Sequence, residues 1–431
     1  MNRVMRALRR NDMVDTFFRL KGNARACIWT EPLWGVPFNL YSPFITLYMY
    51  ALGLSLADIG RIATISYVSQ VVASVFSGVL TDKLGRRWCT FIFDFLAWSV
   101  PELLWAFSQD FRWFAAAALL NGLWKITDNS WNLLLVEDTP HEHIVPVFSL
   151  ASFMGVIATF IAPLSKFAVD AFSLVTTMRV LYAVACVSMT AKFIILYFYS
   201  HETNVGKKRL ALTKGVSIFR SLYECKDVYL SIIREKRMLL TMCILAAYSL
   251  INTVNGNFWA IYVVDLLGVK ESDISWFSMI KGAITLVAIL ALVPRLKRVS
   301  FRRPMLLSVA AFAFSQATLL ALGMLRAPIG VIWPLLVVCV GLDAMAMALL
   351  GPLTSSLLFF NANPEERARV NGMVFATISL MVCVFPAVIG ALAGISLYIP
   401  YVINLGLFAA IAFLTIMIAR LPLPARKGGD A

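Results

Sequence analysis

The chain has 431 residues, 60% of them hydrophobic and only 14% charged, with a mean hydropathy of +0.78. Soluble domains are about half apolar and about a quarter charged, so the composition excludes a water-soluble globular, disordered, collagenous or disulfide-rich secreted protein. A polytopic helical membrane protein remains, and the formal charge of +14 must be explained by where its bases lie.

Residues 1–26 form a basic segment with seven Lys and Arg and no apolar stretch, so no cleaved signal peptide is expected. An interfacial helix using Val4, Met5 and Leu8 and a plain basic tail are both open readings of it. Apolar runs of spanning length follow at 27–51, 57–81, 88–108, 111–136, 144–169, 175–199, 238–267, 272–294, 304–324, 330–360, 367–393 and 396–420. An all-α membrane protein of twelve transmembrane helices is expected. Its bundles are 27–199 and 238–420, joined by a charged linker at 200–237 and followed by a tail at 421–431. With the N-terminus inside, the inside segments hold 29 of the 38 Lys and Arg, which predicts that both termini are cytoplasmic. The positive charge is then topology and attraction to membrane lipids, and no nucleic-acid partner is expected. The seven cysteines show no CxxC, so neither a disulfide framework nor a metal site is expected, and no cofactor.

The chain also repeats itself. Leu52–Ile65 (LGLSLADIGRIATI) matches Leu267–Ile280 (LGVKESDISWFSMI) at five of fourteen positions, where about one is expected by chance. Glu137–Glu142 (EDTPHE) matches Asn361–Glu366 (NANPEE), each reading as a capped helix start with Thr139 or Asn363 as cap. Two matches in the same order at near-equal offsets predict two related six-helix halves, a parallel repeat.

Between the second and third runs lies the loop motif GxxxDxxGRR, made by Gly78, Asp82, Gly85, Arg86 and Arg87. Gly78 suits close helix packing, Gly85 a tight turn, and Asp82 an arginine or a helix N-terminus. With twelve spans in two halves, the chain resembles the major facilitator superfamily of secondary transporters over essentially its whole length. The resemblance implies two bundles rocking about a mid-membrane site lined by spans one, four, seven and ten. It implies that Asp82 docks near Pro364–Arg367 as a latch, with Arg86 and Arg87 finding acids such as Glu137 and Asp138. The matching loop at 295–304 keeps only basic character, so the latch should be asymmetric. The family's antiporter motif in span five is poorly matched by Gly155 and Ala162-Pro163, which weakens an efflux reading. A monomer in a plasma membrane of bacterial inner-membrane type is expected.

Polar groups inside apolar spans are candidate functional residues because hydrocarbon penalises them. In span four, Asn121, Lys125, Asp128 and Asn132 fall within about a 60° arc, flanked by Trp124 and Trp131. Lys125 and Asp128 should pair as a buried unit, either at a solute site or as a structural salt bridge. In span seven, Tyr248, Asn252, Asn255, Trp259 and Tyr262 share one face, suited to covering a polar organic solute with rings and amides. The alternative for this face is interhelical packing plus interfacial anchoring, which fits Tyr262 near the outer surface. Asp343 in span ten is an isolated acid and the expected proton carrier, with Asp128 organising the solute site. Glu31 reads as an interfacial group, and Tyr67, Gln70, Ser74 and Ser77 as helix glue. His141 and His143 belong to the capped helix start, and no P-loop is present.

The expectation is a secondary transporter, not an enzyme, that takes up a small polar or amphiphilic solute with protons by alternating access. Proton-antiport efflux of drugs or metabolites is the alternative, and a non-transporting sensor or lipid-handling protein the third reading.

Overall fold

The structure, a computed structural model, describes residues 20–213, 236–291, 302–325, 327–361, 374 and 377–421. All regular structure among them is helical. They fall into two compact units, one within Met1–Ile218 and Lys270–Gly282, the other within Phe219–Val269 and Ala283–Ala431.

In the first unit, span one is broken into α1 (Gly22–Thr30), α2 (Pro32–Tyr41), a 3-10 turn (Ser42–Phe44) and α3 (Ile45–Ala51). Pro32 is harmless at a first helical position, whereas Pro43 cannot donate to the turn before it and ends the regular helix there. Span two is α4 (Leu56–Leu84), started by a capping box between Ser55 and Asp58. Span three is α5 (Arg86–Asp94), a π-helical turn (Phe95–Ser99) and α6 (Val100–Ala106). The π turn has a local cause: Pro101 has no N–H to offer the carbonyl of Ala97. That carbonyl instead accepts a bond from the Asn121 side chain at 2.9 Å.

Span four is α7 (Phe111–Asn121) and α8 (Trp124–Val136), interrupted at Gly122 and Leu123. A Cβ on Gly122 would collide with the Ser69 side chain, so this glycine is what lets spans two and four touch. Ser69 Oγ fixes the contact by donating to the Leu119 carbonyl at 2.6 Å. α9 (His141–Thr159), α10 (Leu164–Phe172), α11 (Leu174–Tyr199) and the short α12 (Asn204–Leu212) complete this part of the chain. The expected cap at Thr139 is not made. Its hydroxyl bonds back to the Leu135 carbonyl at 3.0 Å, and Pro140 occupies the N-cap position without a side-chain bond. The matching start at Asn361–Glu366 lies outside the described residues beyond Asn361.

The rest comprises α13 (Lys236–Asp265), a 3-10 turn (Glu271–Asp273), α14 (Ile274–Ala291), α15 (Arg302–Met324), α16 (Ile329–Asn361), α17 (Phe385–Ile395) and α18 (Ile399–Arg420). A core of Ile244, Ile251, Met305, Phe312, Leu350 and Phe408 joins α13, α15, α16 and α18.

Nine helical stretches among the described residues are long and apolar enough to cross a membrane. Of the twelve expected spans, the first and fourth miss that length because they are broken as above, and α14 is described only through Ala291. The apolar surface agrees with lipid as solvent. On α11, Val180, Val184, Val187, Ile194 and Phe198 are all exposed, at spacings that form one stripe.

The matched segments Leu52–Ile65 and Leu267–Ile280 each turn on a left-handed glycine, Gly53 (φ 86°) and Gly268 (φ 67°), at corresponding places. The aligned acids diverge: Asp58 closes the capping box and pairs with Arg61, while Asp273 pairs with Lys166 at 2.5 Å.

Candidate functional site

The best-formed cavity of the first unit has a volume of about 160 Å³ and is lined by Glu31, Trp34, Asp94, Trp98, Trp124, Thr127, Asp128, Trp131 and Lys192. Four spans make it: span one brings Glu31, between α1 and α2, and Trp34 of α2, span three brings Asp94 and Trp98, α8 brings the next four, and α11 brings Lys192. Lys192 is buried and binds Glu31 Oε2 at 2.8 Å. Its ammonium also lies 5.6 Å from the Trp34 ring and 5.9 Å from the Trp131 ring, within cation–π range. Asp94 is buried in the field of the same ammonium. The Lys192 ammonium thus lies between Glu31 and Asp94, while Asp128, paired with Lys125, lines the same cavity along with four tryptophans. The indole N–H of Trp131 is buried without a hydrogen-bond partner, a donor left for a guest.

The sequence stripe on span four is only partly brought here. Asp128 and Trp131 line the cavity. Asn121 does not, because its amide is used on the Ala97 carbonyl. Asn132 is turned back on its own helix, donating to Asp128 O at 2.6 Å and Oδ1 at 3.2 Å. Lys125 reaches Asp128 at 3.5 Å and lies over the Trp124 ring at 3.9 Å. Their side chains are 32% and 46% exposed, so the expected buried pair is an open one. Glu31 is a cavity group rather than an interfacial one. Asp94, Trp34, Trp98 and Lys192 were missed, although an ionisable residue inside a span was the available signal for two of them.

In the second unit, Asn255 Oδ1 accepts from Gln316 Nε2 at 3.2 Å, and the same nitrogen lies 3.5 Å from Asp343 Oδ2. Asn404 donates to Gln316 Oε1 at 3.4 Å. Asp343 thus sits in a buried amide network whose central members, Gln316 and Asn404, the hydropathy pattern hid. Tyr248, Asn252 and Trp259 are half-buried on α13. Tyr262 is fully buried, donates to the Leu319 carbonyl at 3.1 Å and packs on Tyr401, contacts that belong to interhelical packing.

The loop motif forms a third cluster. Arg86 is buried and grips Glu137 with Nε and Nη2 at 3.0 Å, and Asp82 with Nη1 at 3.0 Å. Arg87 binds the Tyr197 carbonyl at 2.9 Å and stacks on that ring at 4.0 Å, not on Asp138. Asp138 instead accepts from Asn204 at 3.2 Å. Glu202, unremarked in the sequence, caps α5 by accepting from the N–H groups of Arg86 and Arg87 at 3.0 and 3.1 Å. Gly85 has φ 81°, and a Cβ there would lie 2.5 Å from Glu202 Oε2. Around Gly78, by contrast, a Cβ would meet no atom of the described residues within 4 Å. The docking place proposed for Asp82, at 364–367, lies outside the described residues.

A membrane bundle with a polar, tryptophan-lined cavity and a braced charged loop is the architecture of a small-molecule transporter. The family model of the Major Facilitator Superfamily matches residues 35–258 and 238–430, and the chain belongs to that family. It is 26% identical over 351 residues to multidrug resistance protein MdtG of Rahnella sp. (strain Y9602), covering 78% of this chain and 79% of that one. It is 24% identical over 350 residues to the protein of the same name from Salmonella dublin, covering 78% and 80%. Among solved structures, the nucleoside transporter NupG superposes with a TM-score of 0.71 at 15% identity over 93% of this chain and 100% of that one. A D-xylose-proton symporter gives 0.67 at 14% identity over 93% and 97%. These structures bear on the fold alone. The chain is a multi-pass integral membrane transporter.

Proposed function

We propose that this transporter exports amphiphilic organic cations in exchange for protons. The observation that carries the reading is the cavity with three carboxylates, one ammonium and four indole faces. Indole faces attract cations and cover apolar surface, and three carboxylates against the two ammoniums of Lys192 and Lys125 leave a surplus negative charge that favours a positive guest. A carboxylate that holds either a proton or a cation makes the two compete, which is the logic of antiport. Two relatives bear the name multidrug resistance protein, in keeping with export. The working molecule is a monomer of twelve spans in a bacterial plasma membrane, both termini cytoplasmic, with bundles at 27–199 and 238–420. Asp82, Gly85, Arg86 and Arg87 form its cytoplasmic latch, and Asp343 carries a proton in the second unit. Gly78 belongs to the same latch motif.

Proteoliposomes with an imposed pH gradient test this, using a cationic aromatic solute and its neutral isostere. The cation should move against the direction of proton flow, and Glu31→Gln with Asp94→Asn should weaken its quenching of tryptophan fluorescence. Preference for the neutral isostere would remove the reading. Uptake with protons, the second reading, is favoured by the amides around Asp343; movement of solute along with protons would select it.

A further inference from the structure

Glu102 is fully buried in span three, outside the tryptophan cavity. Its Oε1 meets the Tyr41 hydroxyl at 2.5 Å, and its Oε2 is buried with no hydrogen-bond partner. Among the described residues no ion pair reaches it. The surroundings are aromatic. Tyr182 lies 4.7 Å from Tyr41, and Tyr48 and Trp105 lie 5.7 and 5.5 Å from Tyr182. The ionisable groups facing it are Tyr41 and Tyr48 from span one, and Tyr182, Cys186 and Arg179 from α11. Arg179 is directed to the Ser108 carbonyl at 3.4 Å and to Tyr48. The facing part of span four is alanine-rich, with Arg112 alone charged, at its exposed end.

A carboxylate in such a place, with one neutral donor and one orphan oxygen, is many kcal/mol less stable than in water. A carboxyl group carrying a proton suits the same place. The position is also mechanically distinctive. Tyr41 sits where span one breaks into its 3-10 turn, and Glu102 follows the π turn of span three. Both spans carry cavity groups on the other side of those irregularities: Glu31 and Trp34 on one, Asp94 and Trp98 on the other. π turns recur at functional sites, and these two defects face each other across the Tyr41–Glu102 bond.

We propose that Glu102 is a second proton-binding site of the transporter, neutral when sealed against Tyr41, and that loss of its proton releases span one from span three. The proton comes from water and returns to water, so no other reactant is required. The inference rests on the reading of proton coupling, but its first test is independent of solute and direction.

Infrared spectroscopy of the purified full-length protein in lipid at neutral pH should show the carbonyl band of a protonated carboxylic acid that Glu102→Gln removes. Tyr41→Phe should keep the band and shift it, since one hydrogen bond is lost. Glu31→Gln and Asp94→Asn serve as controls that leave this band in place. A spectrum unchanged by Glu102→Gln would overturn the proton site. Should Glu102→Gln fail to fold, a Tyr41→Phe spectrum without a shifted acid band overturns it equally. In proteoliposomes, Glu102→Gln should lose pH-gradient-driven transport while keeping counterflow of solute. Gradient-driven transport at the wild-type rate would overturn the coupling role even with the band assigned.

Discussion

At the residue scale, two Lys–carboxylate pairs in the first unit differ both in sequence separation and in burial. Lys192–Glu31 is closed, at 2.8 Å with side chains 6% and 15% exposed, while Lys125–Asp128 is loose and open to the cavity. Removing one member of a buried pair strands the other charge. Lys192→Ala should therefore cost about 3 to 5 kcal/mol, read as a fall in melting temperature of the detergent-solubilised protein. Combining Lys192→Met with Glu31→Gln should be less damaging than Lys192→Ala alone, because only Asp94 is then left uncompensated. A combined variant at least as unstable as Lys192→Ala would mean that Glu31 is not held by this lysine. Lys125→Ala should cost below about 1 kcal/mol by the same measurement, as exposed pairs do. A large loss there would mean that Lys125 is far more enclosed than its open position indicates. The span pattern gave the Lys125–Asp128 pair, which forms at 3.5 Å but is open rather than buried, and it did not reveal the closed Lys192–Glu31 pair. A helical wheel sees only neighbours within one span, whereas Lys192 and Glu31 are 161 residues apart.

At the element scale, the informative places are the junctions. Gly85 between α4 and α5 has φ 81° and ψ 158°, and Ser173 between α10 and α11 has φ 77° and ψ 158°. The same sharp corner thus joins spans two to three and spans five to six, once with glycine and once with a side chain that the conformation disfavours. Non-glycine residues in this region cost about 1 to 3 kcal/mol. Ser173→Gly should accordingly stabilise, and Gly85→Ala should destabilise by at least as much, since its Cβ also pushes on the Glu202 cap. Gly78→Ala, in a helix with no described residue within 4 Å of the added Cβ, should be neutral or gain about 0.5 to 1 kcal/mol. Thermal unfolding of the three variants checks the order, and protease cleavage after Glu202 should quicken only in Gly85→Ala. Destabilisation by Gly78→Ala would show a helix contact at that face. The sequence exposed Gly85 as a turn because its neighbours are charged and its span has ended. It hid Ser173, since nothing in a serine's chemistry announces a positive φ. The π turn was hidden too, although Pro101 and the spare Ala97 carbonyl explain it afterwards.

At the scale of the whole molecule, hydropathy and length reveal most spans because a bilayer imposes one thickness on every helix. The internal repeat is legible where a conformation demands a residue, as at Gly53 and Gly268, and fades where the chain is free to diverge, as at Asp58 and Asp273. Sites are less legible because each is assembled from distant spans. Gln316 reaches Asn404 over 88 residues, and Glu202 reaches Arg86 over 116. Asp343 was visible alone, as an acid in an apolar span, without the amides that hold it. Those amides shape the final prediction. Gln316 can donate to Asp343 whether or not the acid carries a proton, so the network tolerates both states and Asp343→Asn should preserve it. Solute exchange without a gradient needs no net proton movement and should persist in Asp343→Asn. Accumulation driven by a pH gradient should be lost. Asp128→Asn, which alters the cavity itself, should weaken exchange and accumulation together. The measurement is paired counterflow and gradient-driven flux in proteoliposomes. Gradient-driven flux surviving in Asp343→Asn would take Asp343 off the proton path, and flux driven by sodium alone would replace the proton altogether.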